Sequence, residues 1–185
     1  GKLSTPTTAV LGLTRVSSPP TTIPGIAMAC AVPTSCTQVE SAVLPAPLSS
    51  VWPAFKVLAL DKVAKEFINA ATFQSGDSMQ VGAVVKLDYS DGAVWELRLT
   101  EISERTATVA YEVVSTTPSL DCSSITGEIA LSPVTASEET FIRWTTEYSN
   151  DVTLERIQDQ KFKKLEFFRA AKAALVSNKR TFAET

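Results

Sequence analysis

Between residues 81 and 148 the chain changes polarity almost residue by residue, segment after segment. Val81, Ala83, Val85, Leu87 and Tyr89 alternate with Gly82, Val84, Lys86 and Asp88. The tripeptide "SDG" at 90–92 then carries hairpin chemistry. Trp95, Leu97 and Leu99 alternate with Glu96, Arg98 and Thr100, and Ala107, Val109, Tyr111 and Val113 with Thr108, Ala110 and Glu112. "ITGEIALSPV" and "TFIRWTTEY" repeat the pattern through Ile125, Gly127, Ile129 and Leu131, then Ile142, Trp144, Thr146 and Tyr148. Side chains on a strand point to opposite faces with a period of two. Consecutive segments of this kind therefore predict an antiparallel sheet with one wet face and one covered face.

The cover follows in the sequence. "LERIQDQKFKKLEFFRAAKAALV", residues 154–176, places Leu154, Ile157, Leu165, Phe168, Ala171 and Leu175 on one helical stripe, with Lys161, Lys163, Lys164, Glu166 and Arg169 assigned to a solvated side. Upstream, "CTQVESAVLPAP" alternates over Val39, Ala42 and Leu44 as a first strand stopped by Pro45 and Pro47. "LSSVWPAFKVLALDKVAKEF" reads as two short helical pieces, the first capped by Ser49 or Ser50, with Pro53 in its first turn or breaking between the two. "INAATFQ" is a brief strand and "SGDS" a turn. The predicted fold class is α+β: a curved, antiparallel seven-stranded sheet wrapped around one long C-terminal helix, with two short helices after the first strand.

Residues 1–34 hold no acidic residue, two charges (Lys2 and Arg15) and much Ser, Thr and Pro. Such a segment buries too little apolar surface to offset its ordering entropy, and it is expected to be disordered. It reads either as an organelle transit segment or as residues placed ahead of a native start at Met28. The expected location is the cytoplasm, or a plastid or other organelle if residues 1–27 are native. The domain is placed at 35–178, with a tail at 179–185.

The chain has no histidine, which excludes a Ser-His-Asp triad, a Cys-His pair and a mixed Cys/His zinc site. Its three cysteines, Cys30, Cys36 and Cys122, lack CxxC spacing and point to a reducing compartment. A net charge of −3 supplies no basic excess for nucleic acid. No apolar run approaches the roughly 20 residues that span a bilayer, so no stable membrane insertion is expected. "GDSMQVG" is too poor in glycine for a phosphate loop. No metal, cofactor or assigned catalytic residue is expected.

The order of these pieces, with "APLSSVW", "MQVGAVVKL", "WELRLTEISER", "TATVAYEVV", "IALSPV" and "FIRWTTEY", resembles the helix-grip superfamily of birch-pollen allergens, START domains and polyketide cyclases over about residues 36–176. The resemblance implies a cavity between sheet and long helix for a small hydrophobic molecule (a lipid, sterol or polyketide), with the loops at "YSDGA" and "STTPS" moving to admit it. Within the superfamily, "EFINAATFQSGDSMQVG" is similar to the segment of abscisic-acid receptors that carries a ligand-pairing lysine, whose place Asn69 takes here. Glu96 falls at the position of a cavity carboxylate. The receptors' latch histidine has no counterpart, and hormone sensing with phosphatase capture is rejected.

Among candidate ligand contacts, Glu96 is the foremost polar residue, although its alternation with Trp95 and Leu97 equally suits the outer face. Trp95 and Trp144 suit a cavity wall or a core. Tyr89, Tyr111 and Tyr148 carry a polar tip on an apolar body, suited to orienting a ligand. Asn69 completes the strand candidates, and Phe168 and Leu165 are the helix contributions. A cyclase or aromatase needs two titratable groups converging in the pocket. The sequence offers only Glu96, so binding outranks catalysis. The remaining alternative is a protein-interaction module of the chaperone-activator type, with its partner unknown.

Overall fold

The computed structural model of the protein describes Gly1 and residues 36–76 and 80–183, with side chains described to Ser177 in the last helix. Most of the segment expected to be disordered, and half of the "SGDS" turn (Asp77 and Ser78), lie outside these residues. The strands are β1 (Thr37–Leu44), β2 (Ile68–Ser75), β3 (Val84–Tyr89), β4 (Val94–Ser103), β5 (Thr108–Thr117), β6 (Ile125–Val134) and β7 (Glu139–Tyr148). The helices are α1 (Leu48–Phe55), a single 3-10 turn at Leu60–Lys62, and α2 (Leu154–Ala183).

All seven strands form one antiparallel sheet in the order β1-β7-β6-β5-β4-β3-β2. The sheet begins at one edge with β1, the chain passes through α1 and the 3-10 turn to the far edge at β2, and it meanders back until β7 pairs with β1 from Thr37↔Glu147 to Leu44↔Thr140. The "SDG" turn behaves as its chemistry requires. Gly92 takes φ +85°, and the Asp91 carboxylate accepts a hydrogen bond from the Ala93 N–H at 2.9 Å.

The alternation is realised from β3 to β7. Val85, Leu87, Trp95, Leu97, Leu99, Val109, Tyr111, Ile129, Leu131, Ile142 and Trp144 are all buried on one face. The first strand keeps the inward phase of Ala42 and Leu44, and of the three residues expected inward only Val39 falls on the other face. Gln38 and Leu44 are buried while Val39 is 53% exposed, because a tyrosine partner inside makes Gln38 the better inward residue. Tyr148 Oη donates to Gln38 Oε1 at 2.7 Å. The first helix begins at Leu48 after an extended Pro47 with no side-chain cap, and Pro53 lies inside it, so neither serine serves as the cap. The second helical piece is a 3-10 turn rather than an α-helix.

The long helix runs past the predicted Val176 into the tail, to Ala183, and keeps four residues of the predicted stripe inward: Phe168 and Ala171 are buried, and Ile157 and Leu175 are half-buried against the core. Gln160, Lys164, Phe167, Phe168 and Ala171 are buried, whereas Leu165 is 41% exposed and Leu154 and Phe162 also face outward. One residue is about 100° of helix rotation. Lys164, assigned to the solvated side, therefore lies inward, and its neighbour Leu165, assigned to the stripe, lies outward.

Candidate functional site

Beneath the middle of α2 the sheet and helix do not interdigitate fully. The space is walled by Trp95 and Leu97 of β4, Tyr111 of β5, Ile125 of β6, Trp144 and Thr146 of β7, and Gln160, Lys164 and Phe167 of α2. Phe67, Tyr89 and Lys163, its partly exposed members, mark the mouth beside the β3–β4 turn. The part that can hold the centre of a water molecule is ≈ 30 Å³, room for about two waters. Phe167 occupies the middle. Its ring makes edge contacts with Trp144 at 5.3 Å, Phe168 at 6.0 Å, Phe55 at 6.2 Å and Phe67 at 6.3 Å.

A chain of polar groups crosses this apolar wall. Lys164 Nζ donates to Thr146 Oγ1 at 2.5 Å and lies 5.8 Å from the centre of the Trp144 ring. Thr146 in turn hydrogen-bonds the Tyr111 phenol, whose oxygen also accepts the Trp144 indole N–H at 2.8 Å. Burial lowers the Lys164 amine from 10.5 to about 8, a shift that the field of Glu40 on β1 only partly offsets. No carboxylate comes within ion-pair distance of it among the described residues. Burial raises the Tyr111 phenol to about 12 despite its bonds from Trp144 and Thr146, so at neutral pH it is a proton donor and not a base. Tyr111 owes its position to Gly127, its partner across β5–β6. A Cβ at 127 would lie well inside contact distance of the Tyr111 ring.

The mouth is tied shut by charge. Lys163 Nζ pairs with Asp91 at 3.1 Å and sits 5.9 Å over the Tyr89 ring, joining the β3–β4 turn to α2. Partial burial alone would raise the Asp91 carboxyl. The Ala93 N–H and the Lys163 ammonium outweigh it and hold the group below the usual carboxylate range.

The structure brings together four of the residues singled out from the sequence: Tyr89, Tyr111, Trp95 and Trp144. Phe168 is buried behind them, 6.4 Å from Trp144, and Tyr148 is buried nearer the β1 edge, its phenol raised by burial and engaged with Gln38. Three others lie elsewhere. Glu96 is on the outer face of the sheet, where it accepts a hydrogen bond from Ser115 Oγ at 2.7 Å, since strict alternation with buried Trp95 and Leu97 turns it out. Asn69 is exposed beside a register shift in β2, its amide 3.4 Å from the Tyr89 carbonyl. Leu165 faces solvent. Sequence reasoning missed Lys164, Thr146 and Gln160. Their only signal was position: Thr146 kept the inward parity of β7, and Lys164 and Gln160 kept the phase of Phe168 and Ala171.

No family model matches the chain, and no curated protein matches it by sequence. Solved structures do resemble it. A protein from Nitrosospira multiformis is 22% identical, with a TM-score of 0.67 over 78% of this chain and 99% of the other. Major latex-like protein 151 from Panax ginseng is 18% identical, with a TM-score of 0.61 over 77% and 95%. Ara h 8.0201 is 19% identical, with a TM-score of 0.62 over 76% and 97%. At these identities the likeness establishes the helix-grip fold and nothing finer. Among the described residues no helix is long and apolar enough to cross a membrane.

Proposed function

We propose that the protein binds a small, largely apolar molecule between the sheet and α2, and holds or carries it without changing it. The observation that carries this is the convergence of Lys164, Thr146, Gln160 and Tyr111 on one aromatic-lined space. A core needs no such groups, and burying them costs free energy that apolar residues of similar size would not. The helix-grip resemblance supports the same place for a ligand. Because the space holds only about two waters, an occupant must displace the Phe167 ring and take over its aromatic contacts. Each 100 Å² of apolar surface so removed from water contributes roughly 2.5 kcal/mol. Entry runs past the Lys163–Asp91 pair.

Native mass spectrometry of protein purified from its own host tests this directly. A bound small molecule is expected, lost when Leu97, an inward residue of the wall, is changed to Trp. Unliganded protein alone, with no adduct after addition of 2-methylnaphthalene, would contradict it. A second reading, a cyclase or aromatase, has one observation in its favour: Lys164 and Tyr111 meet through Thr146. Cyclisation of a poly-β-carbonyl substrate faster than in buffer, lost in Tyr111→Phe, would favour it.

A further inference from the structure

On the reading of this space as a binding site, we propose that Lys164 anchors a carboxylate, so that the occupant is an amphipathic molecule with an apolar body and one anionic end. Two successive lysines make the case. Lys163 lies at the mouth and is paired with Asp91 at 3.1 Å. Lys164, one step around the helix, is only 5% exposed and has a hydroxyl and an indole face as neighbours, with no anion in ion-pair range among the described residues. An ammonium has three donors, and Thr146 engages one. The others are available to the oxygens of a bound carboxylate as charge-assisted bonds.

The surroundings select the ligand's charge and size. Glu40 on β1 acts on Lys164 only through its field, and a carboxylate in contact would replace that distant compensation with a direct one. Trp144 and Thr146 both approach the Tyr111 oxygen as an acceptor, which leaves the phenolic proton for the ligand's second oxygen. A single buried cation matches a monoanion, whereas a phosphate would leave a second charge unpaired in an apolar wall. Trp95, Leu97 and Phe167 receive the apolar body.

The test uses the full chain and two probes of nearly equal shape, naphthalene-2-carboxylate and neutral naphthalene-2-carboxamide, titrated by calorimetry at pH 7. The carboxylate is expected to bind at least about tenfold more tightly, the scale of one charge-assisted bond. In Lys164→Met and Lys164→Gln that preference is expected to vanish. The glutamine variant keeps a hydrogen bond to Thr146 without charge, so it separates charge from packing if the methionine variant folds poorly. Equal affinity of both probes for the unaltered protein, or a preference that survives both substitutions, would overturn the anchor and leave the binding site standing. Failure of both probes to bind, in the unaltered protein and in Phe167→Ala, would overturn both proposals.

Discussion

The two ends of the inner layer are equally buried but built differently. Under α1, Val51 and Phe55 pack with Leu44, Leu58, Leu60, Leu131 and Ile142, a nearly pure hydrocarbon assembly. Most of its polar groups are satisfied on the spot, the exception being Asp61 Oδ1 in the 3-10 turn, buried without a hydrogen-bond partner. Thr140 donates to the Ala46 carbonyl at 2.8 Å, and the Trp52 indole donates at 2.5 Å to Glu104, which also pairs with Lys56 at 2.8 Å. Under α2, aromatic rings replace aliphatic chains and a lysine is buried without a counter-ion. The ends meet where Phe55 and Phe167 touch edge to face. One end is built mainly of aliphatic side chains, and the other buries a cation among aromatic rings at a stability cost that folding does not require. Such departures from the rules of core construction mark where function is to be sought.

The sharpest way to break this contrast is to truncate the two touching rings. Phe55→Ala and Phe167→Ala are each expected to lose about 3–5 kcal/mol of stability. Only the Phe167 variant should regain stability when 2-methylnaphthalene is added, measured as a rise in Tm. Equal rescue of both would erase the distinction. Next in size, Gly127→Ala should cost up to about 3 kcal/mol by overpacking. It should also shift the Trp144 indole resonance, since the Tyr111 ring has nowhere else to lie.

The buried amine gives a smaller but more specific effect. Lys164 feels the field of Glu40 on β1 and lines the same space as Tyr111 of β5, and burial lowers its pKa from 10.5 to about 8 in the folded protein. Between those values the unfolded chain binds more protons, so stability rises with pH, by about 2 kcal/mol from pH 7 to 9.5. Above about pH 10 the raised phenols, Tyr111 among them, reverse the trend. Urea unfolding across that range should show the rise in the unaltered protein and a flat profile in Lys164→Met. Smallest is Asp91→Asn, expected to change stability by under about 1 kcal/mol, as for an exposed ion pair. Stopped-flow measurement should nevertheless show faster probe exchange, because the pair closes the mouth.

The sheet was legible because period two is enforced by the covered face, and five consecutive strands obey it from Val85 to Tyr148. The site was legible only in its aromatic half. Trp95, Tyr111 and Trp144 carry the inward parity and are apolar enough to be expected inside. Lys164 carries an inward phase but the wrong polarity, and a hydrophobic pattern assigns such a residue to solvent. Glu96 erred in the other direction: its chemistry suited a ligand, while its parity, which governs, put it outside. Val39 shows the same competition settled by a side-chain partner, since Tyr148 holds Gln38 inward.

The three tryptophans sample both regions, Trp52 under α1 and Trp95 and Trp144 at the space under α2. Titration of 15N-labelled protein with 2-methylnaphthalene, followed through the three indole N–H resonances, is the most direct test of binding under α2. The account predicts saturable shifts of Trp95 and Trp144 with Trp52 unmoved. No shift in any of the three, or equal shifts in all, would contradict it.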